Sequence, residues 1–99
     1  VERTKAYKYQ SLASGFVNHD AEVFIVTVEP KPEAHKIYKN THPGQEFNLV
    51  LEGSMDLFIG DKTIRLEEGD SIYFDSGKPH GMLAVGNKAV KFLAFVVEK

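Results

Sequence analysis

The sequence predicts an all-β fold, a sandwich or barrel of about eight or nine short strands, and three observations support this prediction. Extended runs rich in β-branched and aromatic residues recur along the chain, for example in Val23–Val28. Glycine, proline, asparagine and aspartate separate these runs at close intervals. No segment has the 3.6-residue apolar spacing of a helix longer than about two turns, and no segment repeats at a fixed period.

Each predicted strand is bounded by residues that favour turns. Pro30-Lys31-Pro32 ends the second strand, because proline cannot donate a hydrogen bond to a neighbouring strand. Gly60-Asp61 and Gly86-Asn87 are two-residue turn signals, and each predicts a hairpin between the strands on either side. The predicted strands cover residues 4–12, 22–29, 34–41, 46–51, 54–59, 62–66, 71–74, 79–85 and 88–97.

Alternation along the strands brings polar and apolar side chains onto shared faces. It places Tyr38 beside Asn40, Asn48 beside Glu46, and Met82 beside His80. A polar side chain that faces the interior of a small barrel needs a partner, and a ligand or water can supply one. We therefore assign Tyr38, Asn48 and Met82 to a ligand pocket. The alternative is a structural role for Tyr38 and Asn48 and ordinary core packing for Met82, which is the commoner role of such a residue.

Length and composition exclude several classes of function. A chain of 99 residues is the size of one domain, so we expect a single unit over residues 1–99. Twelve basic and 14 acidic residues without long runs form no footprint for nucleic acid or an anionic membrane. The chain has no cysteine, and its longest apolar run, Phe92–Val97, is far too short to span a bilayer. We expect a cytoplasmic protein, and the start at Val1 suggests a piece of a longer chain.

Three side chains could form a metal site. Pro43-Gly44 lies between His42 and Glu46 and lets the chain turn, so that both side chains can return to one point. His80 enters at the mouth of a second strand. Two imidazoles and a carboxylate suit Fe(II), Mn(II), Ni(II) or Zn(II) and leave coordination positions open. The alternative is that the three side chains hydrogen-bond one another in a metal-free polar pocket.

Two glycine-bounded motifs make the chain resemble the cupin superfamily. Its first motif is Gly-x5-His-x-His-x3,4-Glu-x6-Gly and its second is Gly-x5-Pro-x-Gly-x2-His-x3-Asn. The matching residues here are His42, Glu46 and Gly53 in the first motif, and Gly69, Gly77 and His80 in the second. The resemblance implies a double-stranded β-helix, or jelly-roll barrel, with His42, Glu46 and His80 as ligands of one divalent transition metal.

The chain departs from these motifs at four positions. Ala34, Asn40, Asp75 and Ala84 replace the family's glycine, histidine, proline and asparagine. Only Asn40 falls on a ligand position of the family. A neutral amide oxygen can coordinate a metal but is a weaker donor than imidazole for these ions. We therefore expect Asn40 to be a weak fourth ligand or none.

A narrower resemblance concerns what the domain does. The segments 44–53 and 69–82, with Asp75-Ser76 before Pro79-His80, look like the cupin domains that follow a helix-turn-helix in bacterial transcription regulators. This resemblance implies an effector-sensing domain that needs no catalysis, with DNA contacted only through a separate helix-turn-helix. A single small sandwich leaves long strand edges unpaired, and cupins commonly cover such edges by association, so we expect a homodimer through sheet faces or exchanged edge strands. The N-terminal strand with Tyr7 and Tyr9 is our candidate for exchange.

Two other functions remain open from the sequence. A small metal-dependent cupin enzyme, a dioxygenase or isomerase, would use the same three ligands, with Glu46 or His80 moving a proton. A storage or structural cupin would bind no specific ligand. A helix-turn-helix upstream of Val1 would favour the sensor, and a free-standing product of this length would favour the enzyme.

Overall fold

The structure is a computed structural model, and it describes residues 7–12, 15, 21–30 and 39–97. These residues form eight strands and, within the described ranges, no helix. The all-β class predicted from the sequence is confirmed. The strands are β1 (Tyr7–Leu12), β2 (Ala21–Val28), β3 (Gln45–Glu52), β4 (Met55–Ile59), β5 (Lys62–Leu66), β6 (Ser71–Asp75), β7 (His80–Ala84) and β8 (Val90–Val97).

The strands form two antiparallel sheets. The larger sheet has the order β1-β2-β8-β3-β6, and the smaller has the order β5-β4-β7. Strands that are distant in sequence are neighbours, since β8 lies between β2 and β3. The inner face of the larger sheet therefore carries side chains from both ends of the chain.

One of the two predicted hairpins is correct. β4 pairs with β5 across Gly60-Asp61, as the turn signal predicts. The hairpin predicted at Gly86-Asn87 is wrong, because β7 pairs with β4 in the smaller sheet while β8 pairs with β2 and β3 in the larger. A two-residue turn reverses the chain without deciding which strand edge it meets. The turn at Gly86 carries the chain from one sheet to the other.

The core lies between the two sheets. Phe24, Val50, Phe92 and Leu57 are at most 1% exposed, and they come from β2, β3, β8 and β4. Every second residue of β8 is buried, and the residues between them are partly or largely exposed, as expected of a strand with one face in the core. Inner-face positions of β3 and β8 are therefore the places from which a side chain can enter the barrel interior.

Gly53 sits at the corner where the chain leaves β3 for β4 and changes sheet. Its φ is +83°, a backbone conformation that other residues rarely adopt. A Cβ at this position would lie 2.6 Å from the carbonyl oxygen of Ala89, which directly precedes β8. The motif glycine is thus required both by backbone geometry and by the close approach of another strand.

The predicted strand over residues 34–41 falls mostly outside the described residues. Its described end includes Asn40, which forms an isolated antiparallel bridge with His80. Among the residues that the structure describes, no helix is long and apolar enough to cross a membrane.

Candidate functional site

Three side chains that can bind a metal or transfer a proton, those of His42, Glu46 and His80, meet at one end of the barrel interior. Glu46 is the second residue of β3 and faces the core, where it is 5% exposed. His80 is the first residue of β7 and is 4% exposed. His42 lies in the turn before β3, and its amide donates to the carbonyl of Ser76 at 3.0 Å. Two sheets and one turn thus converge on a single point.

The distances between the three groups are short. Nε2 of His42 lies 3.1 Å from Oε1 of Glu46, and Nε2 of His80 lies 3.6 Å from the same oxygen. The two imidazole rings meet edge to face with their centroids 5.2 Å apart. One donor atom from each residue lies within 4.8 Å of those of the other two. The convergence expected from the sequence is therefore present in the fold.

The backbone orients the ring of His80. Its Nδ1 lies 2.8 Å from the carbonyl oxygen of Lys78, which can only accept a hydrogen bond. Nδ1 therefore carries the proton, and in the neutral imidazole Nε2 presents a lone pair toward Glu46. A ligand histidine is usually held in this way, by a carbonyl on the nitrogen that does not bind the metal.

The electrostatics of the site favour charged groups. Burial raises the pKa of Glu46, but hydrogen bonds from His42 and His80 outweigh burial and hold that pKa below its ordinary value. Burial lowers the pKa of His80, but the hydrogen bonds to Glu46 and to the Lys78 carbonyl outweigh it and raise that pKa. Without a metal, the site therefore holds an ionised carboxylate against a histidine that readily takes a proton.

The distances from Glu46 to the two histidines also suit a divalent ion. Ligands about 2.1 Å from a common ion at angles of about 90–120° are separated by about 3.0–3.6 Å. The separations of 3.1 and 3.6 Å from Glu46 to the two histidines lie within that range. Nitrogen and carboxylate donors suit a transition metal of the Fe, Mn, Ni or Zn kind. The residues present thus form a possible metal-binding set.

The three residues form one wall of a pocket whose remaining wall is largely apolar. The cavity volume is about 40 Å³, and a single water needs roughly 10–15 Å³ of such space, so the pocket has room for a few water-sized groups. Its lining consists of Tyr7, Tyr9, Phe24, Val26, Asn40, His42, Glu46, His80, Met82, Phe92, Ala94 and Val96. A small ligand would meet polar groups at one side and aromatic or aliphatic carbon at the other.

Tyr7 and Tyr9 are pocket residues that the sequence interpretation did not assign to the site. The Tyr7 hydroxyl accepts from the Met82 amide at 2.9 Å and donates to the Met82 carbonyl at 3.2 Å. Burial raises the pKa of Tyr7, so its phenol stays protonated. The shared face of Tyr7 and Tyr9 was visible in the sequence, but the pairing of β1 beside β2, which brings that face over the pocket, was not.

The residues predicted to bind a ligand lie in different places in the structure. Met82 lines the pocket, as does Asn40, whose backbone is hydrogen-bonded to that of His80 in both directions at 2.8 and 3.0 Å. Asn48 is fully buried behind Glu46 and bonds to that carboxylate. Tyr38 lies outside the described residues.

Comparison with known proteins identifies the family. The sequence model of the cupin domain family, Cupin_2, matches residues 19–96. The chain belongs to the cupin family. A search of curated proteins found no match. The jelly-roll class of this cupin domain, expected from its two motifs, is confirmed.

Solved structures of other proteins are similar to this domain over nearly its whole length. An HTH_3 family transcriptional regulator from Vibrio cholerae is 26% identical with a TM-score of 0.77, and the match covers 95% of this chain and 52% of the regulator. The Cupin_2 domain of an XRE family transcriptional regulator from Enterobacter cloacae has a TM-score of 0.81 at 17% identity, covering 96% of this chain and 99% of that one. At that identity the second likeness shows the fold alone.

A metalloenzyme is similar as well. Fe(II)-HppE with the alternative substrate (S)-1-HPP is 25% identical with a TM-score of 0.79, and the match covers 94% of this chain and 50% of HppE. This chain thus spans about half the length of the Vibrio cholerae regulator and of HppE. This cupin domain is thus similar both to a transcriptional regulator and to a metalloenzyme.

Proposed function

We propose that this cupin domain is the effector-sensing module of a bacterial transcription regulator and that it binds a small ligand next to a divalent transition metal. The observation that carries the proposal is the buried cluster of His42, Glu46 and His80 opening into a mostly apolar pocket. The similarity to the Vibrio cholerae regulator supports the regulatory role. A regulator acts on DNA, so we place the domain in the cytoplasm, with DNA contacted through a separate helix-turn-helix.

Each ligand residue has a distinct task. His80 and His42 would each present Nε2, and Glu46 would present Oε1, the atom that both imidazoles already face. When bound, the ion would supply a positive charge and open positions for oxygen atoms of a ligand. Met82 and the aromatic residues Tyr7 and Tyr9 would enclose the carbon part of that ligand and exclude water. Asn40 would contribute weakly or not at all.

Metal content and affinity test this proposal. The domain is purified without chelators, analysed for bound elements, and then titrated with Fe(II), Mn(II), Ni(II) and Zn(II). We expect one divalent ion per chain in the wild type and none in His80→Ala, because the ion then loses one of its two imidazoles. Asn40→His should bind more tightly, since it adds an imidazole, and Asn40→Ala should bind about as well as the wild type.

The outcomes separate a metal-bound site from a metal-free one. If the wild type takes up none of the four ions and Asn40→His does not restore binding, the cluster is a hydrogen-bonded polar pocket. Glu46→Gln serves as a further check, because it keeps the size of the side chain but removes the charge. Metal binding that survives Glu46→Gln unchanged would contradict the ligand role of this carboxylate.

A second candidate function is a small metal-dependent enzyme, a dioxygenase or isomerase. The structural likeness to HppE favours it, as does the buried His80 that can hold or release a proton beside the pocket. The two functions differ in what a bound ligand does. A ligand recovered unchanged after long incubation with the metal-loaded domain in air supports the sensor, and a converted ligand or oxygen uptake supports the enzyme.

A homodimer is the proposed assembly, and the outer face of the larger sheet supports it. Cross-strand pairs line up two apolar rows there, one of Leu12, Val23, Phe95, Phe47 and Tyr73 and one of Ile25, Leu93 and Leu49. An antiparallel sheet with a free face normally carries polar side chains on it. Phe95 and Tyr73 are 38% and 60% exposed in the single chain, so a second copy could cover them.

Sheet-to-sheet packing of two copies suits this face. Five strands about 4.8 Å apart give an apolar strip about 20 Å wide, which a second copy matches through a two-fold axis. The alternative arrangement is exchange of the edge strand β1, in which its pairing with β2 and the hydrogen bond between Tyr7 and Met82 would form between the two copies. Sedimentation should show a dimer for the wild type and for Thr63→Glu on the outer face of the smaller sheet, but a monomer for Phe95→Glu. A monomeric wild type at high concentration would contradict this assembly.

A further inference from the structure

Asn48 occupies a position that packing alone does not explain. It is fully buried on the inner face of β3, opposite Ala94 of β8 and Ile72 of β6. A buried amide loses its bonds to water, so a structure keeps one only where it finds good partners. The neighbouring inward residue, Val50, shows that an aliphatic side chain fits the same face. The amide therefore has a specific task.

The hydrogen bonds of Asn48 show what that task is. The surrounding acceptors place the amide nitrogen toward Glu46, where it donates to Oε2 at 2.9 Å and to the carbonyl of Phe47 at 3.1 Å. The other oxygen of the same carboxylate, Oε1, faces the two imidazoles. The two ends of the carboxylate are thus assigned to different partners, Oε2 to the amide and Oε1 to the histidines.

We propose that Asn48 is a positioning residue that locks the carboxylate of Glu46 so that Oε1 alone reaches the metal. This inference rests on the proposed metal site and deepens it. With Oε2 held by the amide, Glu46 would hold the ion through Oε1 alone and would leave more of the ion accessible to the small ligand. Residues that hydrogen-bond to a metal ligand from behind commonly orient it in this way.

The test uses Co(II), whose visible spectrum reports the number and arrangement of its ligands. Asn48→Leu keeps the branching and the number of side-chain heavy atoms and removes the donor, and Asn48→Ala removes the donor with the least risk of a clash. Val50→Ala is the matched control, because it lies two residues along the same strand face and creates a cavity without removing a bond to Glu46. Affinity is measured by calorimetric titration and stability by denaturation of the metal-free proteins.

We expect the Asn48 variants to bind Co(II) about 10–100-fold more weakly than the wild type and to show a changed spectrum. Val50→Ala should lose stability but keep the wild-type affinity and spectrum. Unchanged affinity and spectrum in folded Asn48 variants would overturn the inference. Equal effects of Val50→Ala and Asn48→Ala on affinity and spectrum would overturn it too, since a general loss of packing would then suffice.

Crystal structures of the metal-free wild type and of Asn48→Leu separate this inference from the proposed function. If the wild type binds no Co(II), the metal proposal fails, and the positioning role is then judged on these structures. A Glu46 carboxylate that turns away from His42 in Asn48→Leu supports the role. A carboxylate that keeps its wild-type orientation without the amide overturns it.

Discussion

Gly53 and Gly69 form a matched pair for measuring how much the corner between β3 and β4 contributes to stability. Both have positive φ, +83° and +88°. A Cβ on Gly69 would meet nothing within 4 Å, whereas a Cβ on Gly53 would lie 2.6 Å from the Ala89 carbonyl oxygen and 3.2 Å from the Val90 Cα. Alanine at either position has the same conformational problem, but only at Gly53 does it also collide with the backbone.

The expected free energies follow from these two terms. A non-glycine residue held at such a φ costs about 1–3 kcal/mol, and this cost is common to both variants. Forcing an extra carbon into a packed backbone contact costs a further ~1–3 kcal/mol, and this cost falls on Gly53→Ala alone. The smaller entropy of the unfolded alanine chain offsets about 0.4–1 kcal/mol in both. Gly53→Ala should therefore lower the free energy of unfolding by about 1–3 kcal/mol more than Gly69→Ala.

Guanidinium denaturation followed by far-UV circular dichroism measures this difference, since the chain has no tryptophan to report by fluorescence. Protein concentration is kept constant and chelator is present, so that association and metal binding do not contribute unequally. Equal losses in the two variants would refute the steric argument and leave the backbone conformation as the only reason for glycine at this corner.

Three further outcomes are expected. Tyr7→Phe should destabilise the domain by about 1–3 kcal/mol in thermal or chemical unfolding, because it leaves the buried backbone groups of Met82 unpaired. Ser54→Ala, which removes a hydrogen bond to Glu67 at an exposed site, should cost less than about 0.5 kcal/mol, and equal losses would contradict this. Metal affinity should fall as pH drops, because protons compete with the ion for His80. The fall should begin above pH 6.5, since the pKa of His80 is raised, and an affinity that does not change with pH would exclude His80 as a ligand. In chelator, the raised pKa of His80 stabilises the folded state below pH 6.5, and this contribution disappears as pH rises through the folded pKa. The melting temperature of the wild type should therefore fall over that range, and that of Glu46→Gln should fall less. Calorimetry at several pH values measures both, and equal falls would refute this.

Much of the fold could be predicted because strand alternation is a local property. The buried set of Glu46, Asn48 and Val50 follows from their spacing of two along β3. The hairpin at Gly60-Asp61 was predictable for the same reason, since its strands are adjacent in sequence and in the sheet. The turn at Gly86 was not, because the partner of β8 is decided by which open edges the rest of the barrel offers.

In the site, too, local features could be predicted and long-range contacts could not. The residue types that can hold a metal, and the turn that brings His42 back toward Glu46, could be found in the sequence because they lie within one short stretch. The entry of Tyr7 over the pocket and its bonds to Met82 could not, because 75 residues separate the two in sequence. Nor could the hydrogen bond from Asn48 to Glu46, since alternation assigns a side chain to a face but not to a partner on that face. Local spacing thus established which side chains enter the barrel, and long-range strand pairing established which of them meet, because contacts between distant segments depend on how the whole core closes.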